Sequence, residues 1–289
     1  MNGAMIGSGA EGDAAAASAA RGDDALDDFV PRTMAFDDIA CRVHVAGRGP
    51  AVIVMPEMPG LSPDVARFAR WVRDAGFTVY VPSLFGRDGA VPQAQAGVEV
   101  FRRTCVRAEF RALADGGERP IARWLRALAR QAHAECGGPG VGAIGMCFTG
   151  NFALSMVLEP AVIAPVVAQP SLPLEAPAAI DMGADELAAV RARVERDDLR
   201  VLAYRFEGDV HCRAERFAAY RDAFGARFVA RVLPDHAANP DPPPFFRDVV
   251  RSPHSVFTAH LVDAAGHPTL QARDEVIAFL RERLAGEAA

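Results

Sequence analysis

The sequence predicts an α/β fold in which a mostly parallel central sheet has helices on both faces. Short, uninterrupted apolar runs at 51–56 and 141–146 are typical of strands that are buried on both sides. Amphipathic helical patterns, of which residues 121–136 give the clearest, alternate with these runs. This alternation indicates βαβ units, in which a right-handed crossover helix joins two parallel strands.

The composition is that of a globular protein with a sizeable core, because 51% of the 289 residues are hydrophobic and 24% are charged. The net charge of −6 argues against binding to nucleic-acid backbones. No apolar run is long enough to span a membrane, and the first 20 residues lack a secretory pattern. We therefore expect a cytoplasmic protein with neither nucleic acid nor a membrane as partner.

The chain has five cysteines, an odd number at irregular spacing. They form neither a disulfide framework nor a C-x-x-C pair of the kind that binds zinc. We expect reduced thiols and no metal or organic cofactor.

Residues 1–28 are predicted to form a disordered N-terminal tail. Small and polar residues dominate the first 25 positions, and such a segment buries too little apolar area to offset the entropy of ordering it. Residues 29–289 are predicted to form a single domain, since no internal repeat or low-complexity segment interrupts them.

Turn and capping residues delimit the predicted elements. Ser62 is a suitable N-cap for a helix that starts at Pro63, and Gly76 ends that helix. The predicted strands cover residues 39–46, 51–56, 77–82, 141–146, 161–167, 199–206 and 227–233. The predicted helices cover residues 63–75, 98–114, 121–136, 183–195, 213–224 and 268–284. The Pro-rich loop 234–253 is of a length that is usually functional or mobile.

A strand meets a helix at Cys147 with almost no loop between them. The strand ends at Met146, a helical pattern begins at Phe148, and glycines at 145 and 150 let two backbones approach closely. This is the Cys form of the nucleophile elbow and predicts the α/β-hydrolase fold. The positive end of the helix dipole favours a thiolate there. The alternative is a buried thiol that packs at a helix start.

A catalytic thiol needs a base, and in this fold the chain order is nucleophile, acid and then histidine. Asp209 is the preferred acid because it follows a turn glycine at the end of the predicted strand 199–206. Glu207 competes with it from the same loop. The alternative for Asp209 is a solvated turn residue.

Four histidines lie between the last predicted strand and the last helix, and three of them, His254, His260 and His267, lie where the base belongs. His260 lies in an apolar stretch that is typical of a packing residue. On local chemistry His267 is slightly preferred to His254, since it follows a glycine and directly precedes the helix. It could equally be a helix-start residue without a catalytic role.

With these residues assembled, nearly the whole predicted domain resembles the dienelactone hydrolase family of α/β-hydrolases. Residues 145–150 are similar to that family's G-x-C-x-G-G elbow. Residues 52–60 resemble its third strand with the Glu that follows, and 82–87 resemble the segment after its fourth strand. Residues 254–257 resemble its His-Ser-Phe motif, and 275–280 resemble its terminal helix.

The resemblance implies a catalytic triad. Cys147 is implied as the nucleophile, His254 as the base and Asp209 as the residue that orients the base. His254 therefore replaces His267 as the predicted base.

The resemblance also defines the surroundings of the triad. Glu57 is implied as the family's additional carboxylate, which helps to hold and deprotonate the thiol when substrate arrives. A carboxylate at the end of a buried strand is costly without a role, the alternative being a side chain that reaches solvent. By analogy with the fold, the backbone N–H groups of Met58 and Phe148 form the oxyanion hole.

We expect the substrate pocket to include Phe85, Arg87 and Phe257. Thr149 stands where the family's elbow has a glycine, and Thr258 stands in the region of its substrate-carboxylate arginine. These departures, with longer connections between the triad residues, predict an altered pocket rim. Arginines at positions 102, 103, 107 and 111 could supply an anion-binding group or could form a solvated helix face.

These residues predict a hydrolase that acts on a small-molecule ester, lactone or thioester through an acyl-cysteine intermediate. The expected assembly is a monomer or a small homo-oligomer. The alternative is a non-catalytic, hydrolase-like domain that binds a ligand or senses oxidants through its thiol.

Overall fold

The computed structural model of the protein describes residues 22–110 and 118–285. The strands in these ranges are β1 (Val30–Phe36), β2 (Ile39–Gly47), β3 (Ala51–Met55), β4 (Thr78–Pro82), β5 (Val141–Met146), β6 (Val162–Ala168), β7 (Val201–Phe206) and β8 (Phe228–Leu233). The helices are α1 (Pro63–Asp74), α2 (Ala94–Val106), α3 (Pro120–Cys136), α4 (Gly150–Ser155), α5 (Ala184–Arg196), α6 (Ala214–Phe224) and α7 (Pro268–Leu284).

The eight described strands form one sheet in the order β1-β2-β4-β3-β5-β6-β7-β8. β2 pairs antiparallel with both β1 and β4, whereas all pairings from β4 across to β8 are parallel. The predicted mostly parallel sheet and its βαβ unit, β3-α1-β4, are confirmed. The carboxyl ends of the parallel strands meet at one edge, where α/β proteins place their sites.

Two hydrophobic cores cover the two faces of the sheet. Successive side chains of β3 alternate between them, so that Ile53 belongs to one core and Val54 to the other. The first core contains Trp124 of α3, and the second contains Phe68 of α1 and Leu280 of α7. Every residue of β3 is buried, as its uninterrupted apolar run predicts.

β1 was not predicted from the sequence. Only Met34 of its seven residues is buried, and Val30 is exposed, so the strand lacks the apolar run that marks the central strands. It lies at the edge of the sheet, where pairing with β2 holds it.

The predicted tail differs from the structure in its last residues. Leu26 is buried in the second core, and Asp24 and Asp28 both form ion pairs with Arg70 of α1. Residues 22–28 therefore lie on the domain, because they provide one apolar anchor and two carboxylates for a helix that faces them. Residues 1–21 lie outside the described part of the chain.

The predicted second helix, 98–114, begins earlier and ends earlier than expected, although 111–114 lie outside the described residues. It packs against Phe246–Val250, a π-helical turn within the long loop 234–253. The contact is close because Gly97 has no side chain, and a Cβ there would lie 2.2 Å from the ring of Phe245. Within the described ranges, no helix combines the length and apolar character needed to cross a membrane.

Alanine substitutions at the glycines of β5 test how closely neighbouring atoms pack against this strand. A Cβ on Gly145 would lie 2.3 Å from the backbone oxygen of Thr149, whereas one on Gly142 would meet the flexible end of Leu280 at 2.7 Å. We expect Gly145→Ala to lower the free energy of unfolding by about 3 kcal/mol and Gly142→Ala by about 1 kcal/mol. Guanidinium unfolding followed by circular dichroism measures both, and equal losses would contradict the expected difference.

Candidate active site

Cys147 stands at the carboxyl end of β5 in a strained backbone conformation. Its φ is +54°, a left-handed value that residues with a Cβ adopt rarely. The turn is tight because Gly145 lies against the backbone of Thr149 and Gly150 lies against Pro170. The thiol is half-buried and lines a cavity. This geometry has the features of a nucleophile elbow.

Thr149, where the family pattern has a glycine, ties the elbow to the neighbouring strand. Its buried hydroxyl accepts the backbone N–H of Met146 at 2.9 Å. The same oxygen lies 3.3 Å from the carbonyl of Met55 and 3.2 Å from that of Pro56, at the end of β3. The β-branched side chain therefore does not obstruct the close approach of backbones, which Gly145 and Gly150 make possible on either side of it.

Asp209 and His254 are brought together although 45 positions separate them. The His254 Nδ1–H donates to Oδ2 of Asp209 at 2.7 Å, and both side chains are buried. The other oxygen of Asp209 accepts the backbone N–H groups of His211 at 2.9 Å and Cys212 at 3.0 Å. Nε2 of His254 has no hydrogen-bond partner among the described residues, and His254 lines the same cavity as Cys147.

The pKa values of this pair move apart. Burial would lower the pKa of His254, but the Asp209 carboxylate and the Cys147 sulfur outweigh it and raise that pKa well above its usual value. Burial would raise the pKa of Asp209, but His254 and the two backbone N–H groups outweigh it and lower that pKa. An imidazolium paired with a carboxylate is therefore the favoured state of His254 and Asp209.

His260 and His267, the other two candidates for the base, accept hydrogen bonds from backbone N–H groups instead. Burial and the nearby His254 lower the pKa of His260 to about 3, so its neutral Nδ1 accepts the backbone N–H of Ser255 at 3.1 Å. His267 is the N-cap of α7, and its Nδ1 lies 2.9 Å from the Thr269 hydroxyl. The prediction from local chemistry that His267 pairs with the catalytic acid is wrong, since Asp209 is hydrogen-bonded to His254.

Glu57 follows β3 and is buried, with only 1% of its surface exposed. Its carboxylate accepts hydrogen bonds from the hydroxyls of Ser255, at 2.6 Å, and Thr258, and Gln169 Nε2 lies 3.4 Å from it. Burial raises the pKa of Glu57 to about 7, although the two hydroxyls act in the opposite direction. The alternative that Glu57 reaches solvent is therefore wrong.

A cavity of about 300 Å³ opens above Cys147. Its polar side chains are those of Cys147, Ser171, His211 and His254, and most of the remaining lining is aromatic or aliphatic. Met58 and Phe148, the residues of the predicted oxyanion hole, both line it. Within the described ranges, no group of three His, Cys, Asp or Glu side chains is arranged to hold a metal ion.

The three residues predicted for the pocket do not line this cavity. Phe85 packs edge-on against Phe148 and so supports the wall from behind. Arg87 is exposed and pairs with Asp23. Phe257 is buried in the second core, stacked on Phe68, because the chain after His254 turns its side chains away from the cavity.

Two polar residues of the site, Ser171 and His211, were not predicted from the sequence. The hydroxyl of Ser171 lies 3.4 Å from the Cys147 sulfur, and the ring of His211 packs edge-on against His254 with 5.4 Å between the ring centres. Both lie in loops that follow strands, β6 and β7. Position after a strand is the signal that could have found them.

The sequence pattern of the dienelactone hydrolase family matches residues 38–188, more than half of the chain. The chain belongs to the dienelactone hydrolase family. As a member of this family it is a hydrolase of ester bonds. No curated protein matches the sequence.

Solved structures share the fold over most of this chain. A dienelactone hydrolase-like promiscuous phosphotriesterase from metagenomic libraries is 20% identical, with a TM-score of 0.57 over 89% of this chain and 99% of that one. The dienelactone hydrolase from Anabaena variabilis is 14% identical, with a TM-score of 0.53 over 89% and 98%. A cold-adapted esterase from an Arctic intertidal metagenomic library is 11% identical, with a TM-score of 0.55 over 88% and 93%.

The hydroxyl of Thr149 can be tested by a change that keeps the shape of its side chain. We expect Thr149→Val to lower the free energy of unfolding by about 2 kcal/mol, because it leaves the buried N–H of Met146 without its acceptor. Thr149→Ser keeps the acceptor and should lose less than half as much. Urea denaturation measures both variants, and a Val variant as stable as the wild type would show that the hydroxyl does not hold the elbow.

The raised pKa of Glu57 predicts a dependence of stability on pH. Because that pKa lies near 7 in the folded protein, above its ordinary value of 4.5, protonation favours folding. The contribution is complete below about pH 4.5 and is lost as the pH rises through 7. The free energy of unfolding of the wild type relative to Glu57→Gln should therefore fall by about 3 kcal/mol between pH 4 and 8.

Urea titrations of both proteins across this range measure the difference. Glu207→Gln, at an exposed carboxylate in the loop after β7, is the matched control and shows how much of any change with pH comes from the loss of a surface carboxylate. A difference between Glu57→Gln and the wild type that stays constant with pH would show that burial does not raise the pKa of Glu57.

Proposed function

We propose that Cys147, His254 and Asp209 form the catalytic triad of a hydrolase that cleaves a small ester, lactone or thioester through an acyl-cysteine intermediate. The observation that carries this proposal is the buried Asp209–His254 hydrogen bond of 2.7 Å. It leaves Nε2 of His254 free in the cavity that Cys147 also lines. The role of each residue follows from its position relative to the sulfur.

In the acylation step, the Cys147 thiolate attacks the carbonyl carbon of the substrate and forms a tetrahedral intermediate. The backbone N–H groups of Met58 and Phe148 are the donors for the resulting oxyanion, since both residues border the cavity. The intermediate then collapses, the bond to the leaving oxygen or sulfur breaks, and the Nε2–H of His254 protonates the leaving group.

In the deacylation step, His254 is neutral and takes a proton from a water molecule. The hydroxide that forms attacks the acyl carbon, the carbon–sulfur bond breaks, and the thiolate and the imidazolium are restored together. Asp209 keeps the ring oriented throughout, because its second oxygen is fixed by two backbone N–H groups.

Glu57 is the proposed acceptor for the proton of the Cys147 thiol as substrate enters, and it returns that proton to the sulfur after deacylation. Its pKa of about 7 allows it to hold or release a proton near neutral pH. In the resting arrangement its carboxylate accepts from Ser255 and Thr258, so this step requires the carboxylate to leave those hydroxyls. Membership of a hydrolase family favours a catalytic function for this protein over ligand binding or oxidant sensing.

Substitution of the triad tests the proposal. We expect Cys147→Ala and His254→Ala each to lower kcat/KM for p-nitrophenyl acetate by about 10³-fold or more, because each removes a group that forms or breaks a bond. Acid-quenched wild type should carry one acyl group on Cys147, detected by intact-protein and peptide mass spectrometry. Peroxide labelling of Cys147 without turnover of any activated ester would instead favour the sensor.

Cys105→Ala and His236→Ala are the matched controls, since both side chains are exposed and neither lines the cavity. Both should retain the activity of the wild type. Full esterase activity in Cys147→Ala would contradict the proposed nucleophile.

A further inference from the structure

The walls of the Cys147 cavity come from two connecting segments. Val98 and Phe101 of α2 contribute part of the lining, and Phe246 and Val250 of the π-helical turn contribute another part. Phe148 completes it and is held edge-on by three further rings, those of Phe85, Phe101 and Phe110. Such interlocked aromatic rings give a wall of fixed shape.

Apart from His254, whose charge is already paired with the Asp209 carboxylate, the described residues that line this cavity include no charged side chain. The polar residues there are Cys147, Ser171, His254 and His211. Burial, and then the charge of His254, lowers the pKa of His211, so its ring is neutral at neutral pH and supplies no cation.

None of the described arginines that the sequence offered for the pocket or for anion binding lines this cavity. Arg87 pairs with Asp23, Arg103 with Glu99 and Arg107 with Glu109. Arg102 borders an adjoining surface cleft on α2, which shares Val98 and Val249 with the cavity, and Arg111 lies outside the described residues. Thr258, in the region of the family's carboxylate-binding arginine, donates its hydroxyl to Glu57.

A substrate carboxylate in this cavity would lose its hydration without gaining a cation that is not already paired. An unpaired buried charge costs several kcal/mol, whereas each buried methylene is favourable. The acyl group must occupy this space whatever the leaving group, because it stays bonded to the Cys147 sulfur throughout the intermediate.

We propose, on the basis of the function proposed above, that the substrate carries an uncharged, apolar acyl group and that carboxylate-bearing esters and lactones are rejected. The volume of about 300 Å³ suits a short to medium acyl chain, since it lies at the small end of ligand pockets. At the mouth, Leu174 and Val249 are 43% and 38% exposed, so a longer chain continues onto an apolar rim.

A matched pair of esters tests this proposal. p-Nitrophenyl hexanoate and mono-p-nitrophenyl adipate have acyl chains of equal carbon number that differ in a terminal carboxylate. After subtraction of spontaneous hydrolysis, kcat/KM should favour the hexanoate by about 100-fold or more. From acetate to hexanoate, kcat/KM should rise about fourfold for each methylene.

A positively charged side chain at the mouth of the cavity should reduce the preference for the hexanoate over the adipate. Leu174→Arg is expected to lower the hexanoate-to-adipate ratio by about tenfold, because the guanidinium then pairs with the carboxylate. Val106→Arg is the control, since Val106 is 72% exposed on α2 and does not line the cavity, and its ratio should equal that of the wild type.

The outcomes separate the two proposals. Equal or faster cleavage of the adipate, or a rate that does not depend on chain length, would overturn the apolar acyl group while the triad stands. Failure of every ester to acylate Cys147 would overturn the proposed function and this inference with it.

Discussion

At the centre of the site, the Asp209 carboxylate and the His254 imidazole share a hydrogen bond of 2.7 Å with almost no access to water. Two charges removed from water are costly, and the cost is offset only if their remaining atoms are also satisfied. Two backbone N–H groups of the loop after β7 satisfy the carboxylate. The strand end, the loop and the histidine segment are therefore mutually dependent, because any shift between them would leave a buried charge unpaired.

The pKa of the second buried carboxylate, Glu57, shifts in the opposite direction to that of Asp209. Hydroxyl groups of Ser255 and Thr258 face it instead of a paired cation, so burial dominates and the proton is held to a higher pH than usual. The two buried carboxyl groups that interact with the charge of His254 are thus kept in different protonation states by their surroundings. This separation is what acid–base chemistry at neutral pH requires of a site with more than one carboxylate.

The sequence predicted those features that depend on local pattern. Buried strands, Cys147 at a strand–helix junction and Asp209 after a strand all follow from neighbouring residues. The choice of His254 over His267 came only from the family resemblance, since both have plausible local settings. The pocket was predicted poorly because its lining comes from α2 and the loop 234–253, whose approach depends on long-range packing such as that of Gly97 on Phe245. β1 was missed because its stability comes from pairing with β2.

Different parts of this fold hold the proposed triad and shape the cavity around it, and this affects how the sequence of such a protein can diverge. The residues proposed to react are held by strain, buried charge and backbone hydrogen bonds, whereas the shape of the cavity around Cys147 is set largely by α2 and the π-helical turn. Substitutions in those two segments can accumulate without a penalty to the chemistry. A duplicated copy of the gene could therefore acquire a new preference through a handful of side chains, while its reaction stays the same.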